Sequence, residues 1–566
     1  MRRYWIAAMC CLLVGIMVGT PVLCAQVDAH APKDTVAEHG MVAAAHPLAS
    51  MAGVEILRSG GNAIDAAVAA ALALNAVEPN ASGLGGGGFM VIRFAKTGEV
   101  AVIDYREKAP ASSTKDMYAS DQAKKERWTV LGGKSVGVPG AAKGLETALQ
   151  KFGTMTFGQA AAPAIKLAEE GFVVSPMLSG LIKDNYDKIV QYNNPDDVPY
   201  LRDGLALEPG DILKNPELGQ TLRLIAEKGS DAIYHGPIGE KMVAAVNRNG
   251  GNMTMQDFAD YTAVMREPVR GNYRGYEIIS MPPPSSGGTH LIQILNVMEN
   301  FDVKAMGHNS PQYIHTLAET LKMVFADRGA FMADTDFVKV PVKGLASKEY
   351  AKTQADQIKP DKAMAEFRPG EPQKYEHEST THLTVIDQQG NIVALTQTIN
   401  YFFGSGVMAT GTGLMMNDEM DDFSTNPASV SAPEPGKRPL SSMSPTIILK
   451  DGKPFMALGT PGATRIFPSL AQIIMNVIDF GMGLDEAIEV PRVWSSSSAG
   501  KPGAVAVESR IPVETREALQ ALGHKVDVKG DWDSYYGACQ AIMLDQSTGL
   551  IYGAADSRRL GEAIGF

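Results

Sequence analysis

The chain has 566 residues, a hydrophobic content of 45% and a formal net charge of −12. This length exceeds a single hydrophobic core of usual size, so we expect two domains or one large layered domain. The acidic balance argues against nucleic acid as a partner, although one or two well-placed cations are enough to bind an anionic substrate.

The first 25 residues have the pattern of a secretory signal. Two arginines precede an apolar run that ends near Leu23, and Cys24 and Ala25 follow. A basic start, an apolar body and a small-residue end are typical of a leader that is removed on export. A retained anchor helix is the alternative, because the run approaches membrane-spanning length. We therefore expect a signal peptide at 1–25 and a periplasmic or secreted mature chain that has no membrane segment.

Helical patterns dominate from about residue 40 to 370, and strand patterns come first from residue 380 onward. Apolar periodicity with a cap at Asn62 and a stop at Pro79 predicts a helix over 60–79. Similar patterns predict helices over 157–171, 289–300, 467–481 and 513–524. Alternation predicts strands over 382–387, 392–398, 413–418, 444–451 and 454–459, and turn-forming residues predict loops at 281–289 and 424–439. Alternating strand and helix blocks favour a layered α/β fold.

The stretch HESTTHLTVID, residues 377–387, places three hydroxyl residues before an alternating apolar run. The two strands that follow flank a three-residue loop ending in Gly390, which is a hairpin signal. If Asp387 pairs with Asn391, the same register puts Thr380 opposite Thr398. Residues opposite each other in a hairpin point to the same face, so the sequence predicts that these two threonines are neighbours.

A threonine hydroxyl at the start of a strand is a candidate nucleophile only if a base lies nearby. A His–Asp pair is one source of such a base. The residue's own α-amine is the other source, and it exists only if the chain is cut before Thr380. The alternative is that Ser379, Thr380 and Thr381 reflect only strand propensity and loop chemistry.

No cofactor or metal is expected from the remaining patterns. The run Gly85 to Gly88 lacks the Gly-Lys-Ser/Thr that follows in a phosphate-binding loop, so close backbone packing is the favoured interpretation. The ten histidines show no H-x-x-x-H spacing and no cysteine pairing, so we expect no catalytic metal.

A series of motifs spans nearly the whole chain after the leader. In order they are SGGNAIDAAVAAALAL (59–74), GLGGGGFMVIR (83–93), DYREKAP (104–110), GVPG (137–140), MPPPSSGGTH (281–290), TTHLTVID (380–387), TQTINYFFGSG (396–406), NDEMDDFS (417–424), KRPLSSMSPT (437–446) and GTPGATRI (459–466). Together they resemble the γ-glutamyltranspeptidase family of N-terminal-nucleophile hydrolases. The resemblance implies a four-layer αββα sandwich that is processed into a large subunit, 26–379, and a small subunit, 380–566.

The resemblance also implies a set of catalytic groups. Thr380 matches the nucleophile, which is freed when the precursor cuts itself between Ser379 and Thr380. Thr398 matches the threonine that hydrogen-bonds the nucleophile, in agreement with the hairpin register. Gly462 and Ala463 match the pair whose backbone N–H groups form the oxyanion hole.

Substrate-binding groups follow in the same way. Arg106 matches the arginine that binds the substrate α-carboxylate, where an Arg fork suits a carboxylate. Ser441 and Ser442 match the serine pair that assists at that carboxylate. The residues that match those around the substrate α-ammonium are Asn400, Glu419 and Asp422. Taken alone, Arg106 is typical of a solvated surface arginine, and the acids are typical of a solvated turn.

The implied function is that of an exported γ-glutamyltransferase and glutathione hydrolase. It would use donors such as glutathione and pass the γ-glutamyl group from Thr380 to water, amino acids or peptides, with both subunits remaining associated. The alternatives are a poly-γ-glutamate depolymerase or cephalosporin acylase on the same scaffold, and, least favoured, a non-catalytic binding protein.

This sequence departs from the family pattern at three places. Ala463 stands where the family often has glycine, and Glu419 stands where many members have glutamine. The segment between Phe423 and Lys437 is short and contains no tyrosine, whereas many bacterial members carry a longer lid there. We therefore hypothesise an open site that tolerates bulky γ-glutamyl substrates.

Overall fold

The computed structural model describes residues 34–367, 380–498 and 500–566. The predicted leader at 1–25 and the predicted cleavage residue Ser379 lie outside the described residues. The described residues from Asp34 to Phe566 belong to one compact unit, so they form one large layered domain rather than two.

Two antiparallel sheets of seven strands each form the centre of this unit. Their strands, in chain order, are β1 (Thr35–Ala37), β2 (Met41–Ala44), β3 (Gly87–Arg93), β4 (Val100–Asp104), β5 (Val264–Arg266), β6 (Val269–Tyr273), β7 (Tyr276–Ser280), β8 (Thr381–Ile386), β9 (Ile392–Thr398), β10 (Thr446–Lys450), β11 (Lys453–Gly459), β12 (Gln540–Leu544), β13 (Ile551–Ala555) and β14 (Glu562–Gly565). The first sheet has the order β14-β2-β8-β9-β3-β4-β5, and the second has the order β1-β13-β12-β11-β10-β7-β6.

Helices cover the outer face of each sheet. Leu383 and Val385 of β8 point outward into a core formed with helices Pro47–Arg58, Ala63–Val77, Ala141–Phe152 and Phe157–Glu170. The opposite face of the first sheet packs on the second sheet in another core, which includes helices Gly287–Met298, Pro311–Phe331 and Ile466–Ile478. Because β-strands present alternate residues to opposite faces, β8 and β9 serve both cores. The predicted αββα sandwich is confirmed.

The predicted helices and strands are found with small shifts at their ends. Asn62 caps helix Ala63–Val77 by accepting from the amides of Ile64 and Asp65, as predicted. The predicted strand over 413–418 is mostly wrong, because only Leu414–Met415 is extended and pairs with Met408–Ala409. The predicted loop at 281–289 ends early, since a helix begins at Gly287. The further helices of eight or more residues are Pro176–Asp184, Pro216–Lys228, Pro237–Arg248, Lys348–Ala355 and Val513–Ala521.

None of the helices in the described ranges combines the length and the apolar character needed to cross a bilayer.

The glycine run between the first helices and β3 packs against backbone, as predicted. A Cβ at Gly85 would lie 1.9 Å from the carbonyl oxygen of Met415, and a Cβ at Gly86 would lie 1.9 Å from that of Thr398. Such distances admit no side chain, so these positions require glycine for close approach. The run therefore holds the loop after β9 against the start of β3.

Candidate active site

The hairpin of β8 and β9 pairs in the predicted register, with Thr381 opposite Gln397 and Ile386 opposite Ile392. The same register puts Thr380 opposite Thr398, and the Thr380 hydroxyl donates to Thr398 Oγ1 over 3.4 Å. The Thr398 hydroxyl also accepts from the backbone amide of Asn400, at 2.8 Å. In the uncut chain the Thr380 nitrogen is a peptide nitrogen and has no basic lone pair.

A buried ion pair that the sequence did not indicate holds the start of β8. Arg559 Nη1 donates to the Thr380 carbonyl at 2.9 Å and lies 3.7 Å from Glu78. Glu78 in turn accepts from the Thr381 hydroxyl at 2.6 Å. Burial raises the pKa of Glu78 to about 7, although Arg559 and Thr381 act in the opposite direction. The sequence offers only a weak signal for this ion pair. Glu78 follows a helix C-terminus, where a negative charge is unfavourable and a cationic partner is therefore expected.

Arg106 lies against both acids that were predicted to surround the substrate ammonium. Its two Nη atoms donate to Glu419 and to Asp422, and all three side chains are buried. Its Nε and Nη2 also donate to the carbonyls of Pro439 and Leu440, at 3.3 and 3.2 Å. The surface interpretation of Arg106 and of the acids is therefore wrong, and the fork of Arg106 is satisfied internally in the uncut chain.

Several buried acceptor oxygens beside this fork have no donor among the described residues. They are Asn400 Oδ1, Asp418 Oδ2, Glu419 Oε2 and both carboxylate oxygens of Glu107, of which Oε2 lies 3.7 Å from Arg106 Nη1, beyond hydrogen-bond distance. Burial raises the pKa of Glu419 well above its usual range; Arg106 opposes this shift. Burial likewise raises the pKa of Glu107 to about 7. Buried acceptors without donors are costly, so this cluster is suited to a ligand that brings N–H groups.

Asn400 connects the threonine pair to this acidic turn. Its amide contacts Thr398, as given above, and its Nδ2 donates to the Asp418 carbonyl at 3.1 Å. Asn417 anchors the turn from the other side, because its Nδ2 donates to the carbonyls of Gly85 and Gly137 at 2.7 and 2.9 Å. The predicted residues on the hairpin and on the turn therefore belong to one buried site.

Ser441 and Ser442 directly follow the carbonyls that contact Arg106. Ser441 Oγ accepts from the Met443 amide at 3.1 Å, and Ser442 Oγ accepts from Arg328 Nη2 at 3.1 Å. Arg328 also donates to Ser286 Oγ at 2.9 Å. Sequence reasoning missed Arg328, which lies in helix Pro311–Phe331 without any motif.

The predicted oxyanion turn follows β11 and has left-handed backbone angles. The φ angles are +124° at Gly462 and +57° at Ala463. Ala463 departs from the family's frequent glycine at a cost of about 1 kcal/mol for a Cβ in this region. A Cβ at Gly459, the last residue of β11, would lie 2.2 Å from the ring of His382. The turn thus begins beside the strand that Thr380 precedes.

His382 is not a base for Thr380. Its ring nitrogens contact Thr396 Oγ1 at 2.8 Å and Thr384 Oγ1 at 3.0 Å, between the two sheets. Burial lowers the pKa of His382 to about 3, so the ring is neutral at ordinary pH. Of the two sources of a base considered from the sequence, the α-amine of a freed Thr380 is the one that this geometry favours.

One group of metal-ligand side chains occurs in the described ranges, outside this site. It consists of His315, Glu319 and His524, all buried. Lys322 Nζ lies 3.0 Å from Glu319 Oε1 and 3.1 Å from His524 Nδ1. A lysine ammonium therefore already supplies the positive charge in this cluster.

The hypothesis of an open site stays a prediction for the processed enzyme. Only 1% of Thr380 and none of Arg106 is exposed. Lys437 holds the short segment after Phe423 by donating to the carbonyls of Val430 and Ala432, both at 2.9 Å. In the uncut chain these two residues are buried, and Glu419 and Asp422 occupy the Arg106 fork.

Residues 49–566 match the family model of γ-glutamyltranspeptidase. The glutathione hydrolase proenzyme of Escherichia coli (strain K12) is 42% identical over 93% of this chain and 91% of its own length. The acylase ACY 1 proenzyme of Pseudomonas sp. (strain SE83) is 45% identical over 86% of this chain and 87% of its own. A cephalosporin acylase structure from Bacillus halodurans superposes with a TM-score of 0.85 at 30% identity, covering 95% of this chain and 97% of that one. The chain belongs to the γ-glutamyltranspeptidase family.

Proposed function

We propose that this protein is an exported, self-processing γ-glutamyltransferase and glutathione hydrolase. The observation that carries the proposal is the buried set of acceptor oxygens without donors, including Asn400 Oδ1 and Glu419 Oε2, beside the Arg106 fork. A γ-glutamyl donor ends in one carboxylate and one ammonium, so a specific site must present charges of both signs. Relatives named as glutathione hydrolase proenzymes support the same assignment.

Processing makes the base that the nucleophile needs. Thr380 Oγ attacks the carbonyl carbon of Ser379, the peptide C–N bond breaks as an ester forms, and the hydroxyl proton passes to the nitrogen. Water then cleaves the ester, which leaves a carboxylate on Ser379 and a free amine on Thr380. The two chains stay together because β8 remains hydrogen-bonded to β2.

The freed threonine then attacks the donor. Its Oγ adds to the γ-carbonyl carbon while its amine accepts the hydroxyl proton. The amides of Gly462 and Ala463 stabilise the oxyanion, commonly among the largest contributions to such a step. The amide C–N bond breaks, the leaving amine takes the proton, and a γ-glutamyl ester remains on Thr380. Water, an amino acid or a peptide attacks this ester and regenerates the hydroxyl.

Binding exchanges partners at the Arg106 fork. The donor α-carboxylate pairs with the Arg106 guanidinium and also contacts Ser441 and Ser442. The donor α-ammonium binds to the carboxylates of Glu419 and Asp422 and donates to the amide oxygen of Asn400. The donor therefore replaces the internal ion pairs of the uncut chain with pairs of the same kind, so no charge stays buried without a partner.

An acylase that acts on another acyl group is the second candidate. Relatives named acylase ACY 1 and cephalosporin acylase favour it. Arg106, Glu419 and Asp422 suit an acyl group with a zwitterionic end, which favours γ-glutamyl over an acyl group that lacks the ammonium. Small-molecule donors and acceptors are the expected partners, and the chain is expected to be periplasmic or secreted after removal of the leader.

Matched donors test the assignment. The purified, processed protein is given γ-glutamyl-p-nitroanilide and glutaryl-p-nitroanilide, which differ only by the α-ammonium, together with glutathione. We expect the γ-glutamyl donors to react far faster than the glutaryl donor. A preference for the glutaryl donor would establish the acylase instead. A folded chain that never cleaves itself before Thr380 would refute both the γ-glutamyltransferase and the acylase.

A further inference from the structure

The main chain of Arg106 is gripped on both sides by buried side chains. Its amide donates to Asp104 Oδ1 at 2.9 Å. Its carbonyl accepts two hydrogen bonds, one from Tyr261 OH at 2.8 Å and one from Arg438 Nη1. A carbonyl has two lone pairs, so this acceptor is fully used.

Arg438 is itself held from every side. Its Nη2 donates to the Thr262 carbonyl at 2.8 Å, and its Nε lies 3.5 Å from Asp104 Oδ2. Its backbone amide donates to Asp334 Oδ2 at 2.8 Å. Burial opposes its charge, but Asp104 and Tyr261 outweigh burial and raise the pKa of Arg438. A rigid fork bound to this many partners is a fixed support, a role to which a flexible lysine is poorly suited.

The residues after Arg438 extend this support to the Arg106 side chain. The carbonyls of Pro439 and Leu440 accept from the Arg106 guanidinium. One short segment therefore fixes both the backbone and the fork of Arg106. Arg438 follows Thr380 in the chain and Arg106 precedes it, so this support crosses the proposed cut.

We propose that Arg438 is a positioning residue that makes the enzyme select donors with an α-carboxylate, because it fixes the backbone of Arg106. This inference rests on the proposed function. Arg438 Nη1 donates to the Arg106 carbonyl, and the rest of its fork is engaged by the Thr262 carbonyl and Asp104, so we assign it a role that acts through Arg106.

The test compares two donors on Arg438→Lys and on the wild-type enzyme. γ-Glutamyl-p-nitroanilide carries the α-carboxylate, and 4-aminobutyryl-p-nitroanilide lacks it but keeps the amino group. We expect kcat/KM for the γ-glutamyl donor to fall on the order of tenfold, mainly through KM, because a small misplacement of a binding group is costly. The second donor should change little. Where its turnover is too slow to follow, its inhibition constant against the first donor is measured instead.

Two further variants complete the design. Tyr261→Phe removes one of the two bonds at the same carbonyl and should shift the donor ratio in the same direction by a smaller factor. Arg223→Lys changes an exposed arginine paired with Glu169 and should leave the ratio unchanged. If Arg438→Lys does not fold or process, Tyr261→Phe decides the question.

An equal loss on both donors would overturn the proposal, because it would assign Arg438 a purely structural role. So would an unchanged ratio in Tyr261→Phe. A wild-type enzyme without any γ-glutamyl turnover would instead refute the proposed function, which keeps the two failures distinguishable.

Discussion

Thr380 and Thr398 face each other across the β8–β9 hairpin, with the Thr380 hydroxyl donating to Thr398 Oγ1 at 3.4 Å. A hydroxyl that must first attack the preceding carbonyl and then a donor needs a fixed direction. Thr398 can provide it, because the Asn400 amide holds its oxygen at 2.8 Å.

The first prediction concerns self-cleavage. Wild-type protein should yield two chains, the smaller beginning at Thr380, whereas Thr380→Ala should remain whole. Thr398→Ala should slow cleavage, and Thr398→Ser should restore most of the rate because it returns the hydroxyl. Intact mass and N-terminal analysis over time measure all four proteins. A folded wild-type chain that stays single would contradict the mechanism.

The hairpin shows how much of this site the sequence can predict. Its register follows from a turn with Gly390 and from strand alternation, which are local signals, and all six pairs of the observed ladder obey it. The helix cap at Asn62 is equally local. The αββα sandwich and the site residues were predicted from the order of the family motifs. That order identifies the family pattern but does not say which side chains contact each other.

The contacts that decide the electrostatics of the site are not local. Arg106 and Glu419 are 313 residues apart, so no periodicity predicts that they pair directly. Arg559, Glu78 and Arg328 were missed for the same reason, since each acts through a partner far away in the chain. Solvent exposure inferred from residue type alone was wrong for Arg106, because the fold supplies charge partners that offset the free-energy cost of removing its guanidinium from water.

The second prediction tests the donor fork. Arg106→Lys should raise KM for γ-glutamyl-p-nitroanilide on the order of 100-fold, because one ammonium cannot replace a two-pronged guanidinium contact and truncating a buried charge pair costs about 2–5 kcal/mol. Cleavage before Thr380 should still occur and serves as the folding control. Unchanged KM in a processed variant would remove Arg106 from the donor site.

The third prediction concerns the pH dependence of donor binding. The pKa of Glu419 is raised by burial and by the neighbouring Glu107 and Asp422, with Arg106 opposing. At low pH the carboxyl is therefore protonated and attracts the donor ammonium less, so kcat/KM should rise with pH. In Glu419→Gln this contribution disappears and the acidic limb should become shallower, while the Thr380 amine and the buried acids Glu107 and Glu78, whose pKa values are raised to about 7, still titrate.

The control for that experiment is Glu434→Gln, which changes an acid with a partly exposed side chain in the loop after Phe423. Its pH profile should match that of the wild type. An acidic limb that keeps its full steepness in Glu419→Gln would show that Glu419 does not titrate during donor binding.

The fourth prediction concerns acid stability. Burial lowers the pKa of His382 to about 3 in the fold, against a usual value of 6.5. Below about pH 6.5 the unfolded chain takes up a proton that the folded chain does not, so stability falls as pH decreases towards 3. This one group contributes about 1.4 kcal/mol per pH unit.

The measurement uses thermal unfolding in the Thr380→Ala background, where one uncut chain avoids subunit dissociation. His382→Asn should make the midpoint less dependent on pH between 6 and 4. His235→Asn, at a half-exposed side chain, should leave that dependence unchanged. An identical slope in all three proteins would contradict the assignment of a neutral, buried His382.

The fifth prediction concerns the two left-handed residues of the oxyanion turn. Ala463→Gly should raise the free energy of unfolding by up to about 1 kcal/mol, because glycine adopts a φ of +57° without the Cβ penalty. Activity should persist, since the backbone N–H remains.

Gly462→Ala is the matched opposite change: its Cβ would lie 3.0 Å from the Gly537 Cα at a φ of +124°. It should displace the amides and lower kcat by roughly 10²-fold, the cost of losing one oxyanion donor. Denaturant unfolding of the uncut background and single-turnover acylation of the processed enzyme measure the two effects, and equal kcat in Gly462→Ala and wild type would rule out this turn as the oxyanion hole.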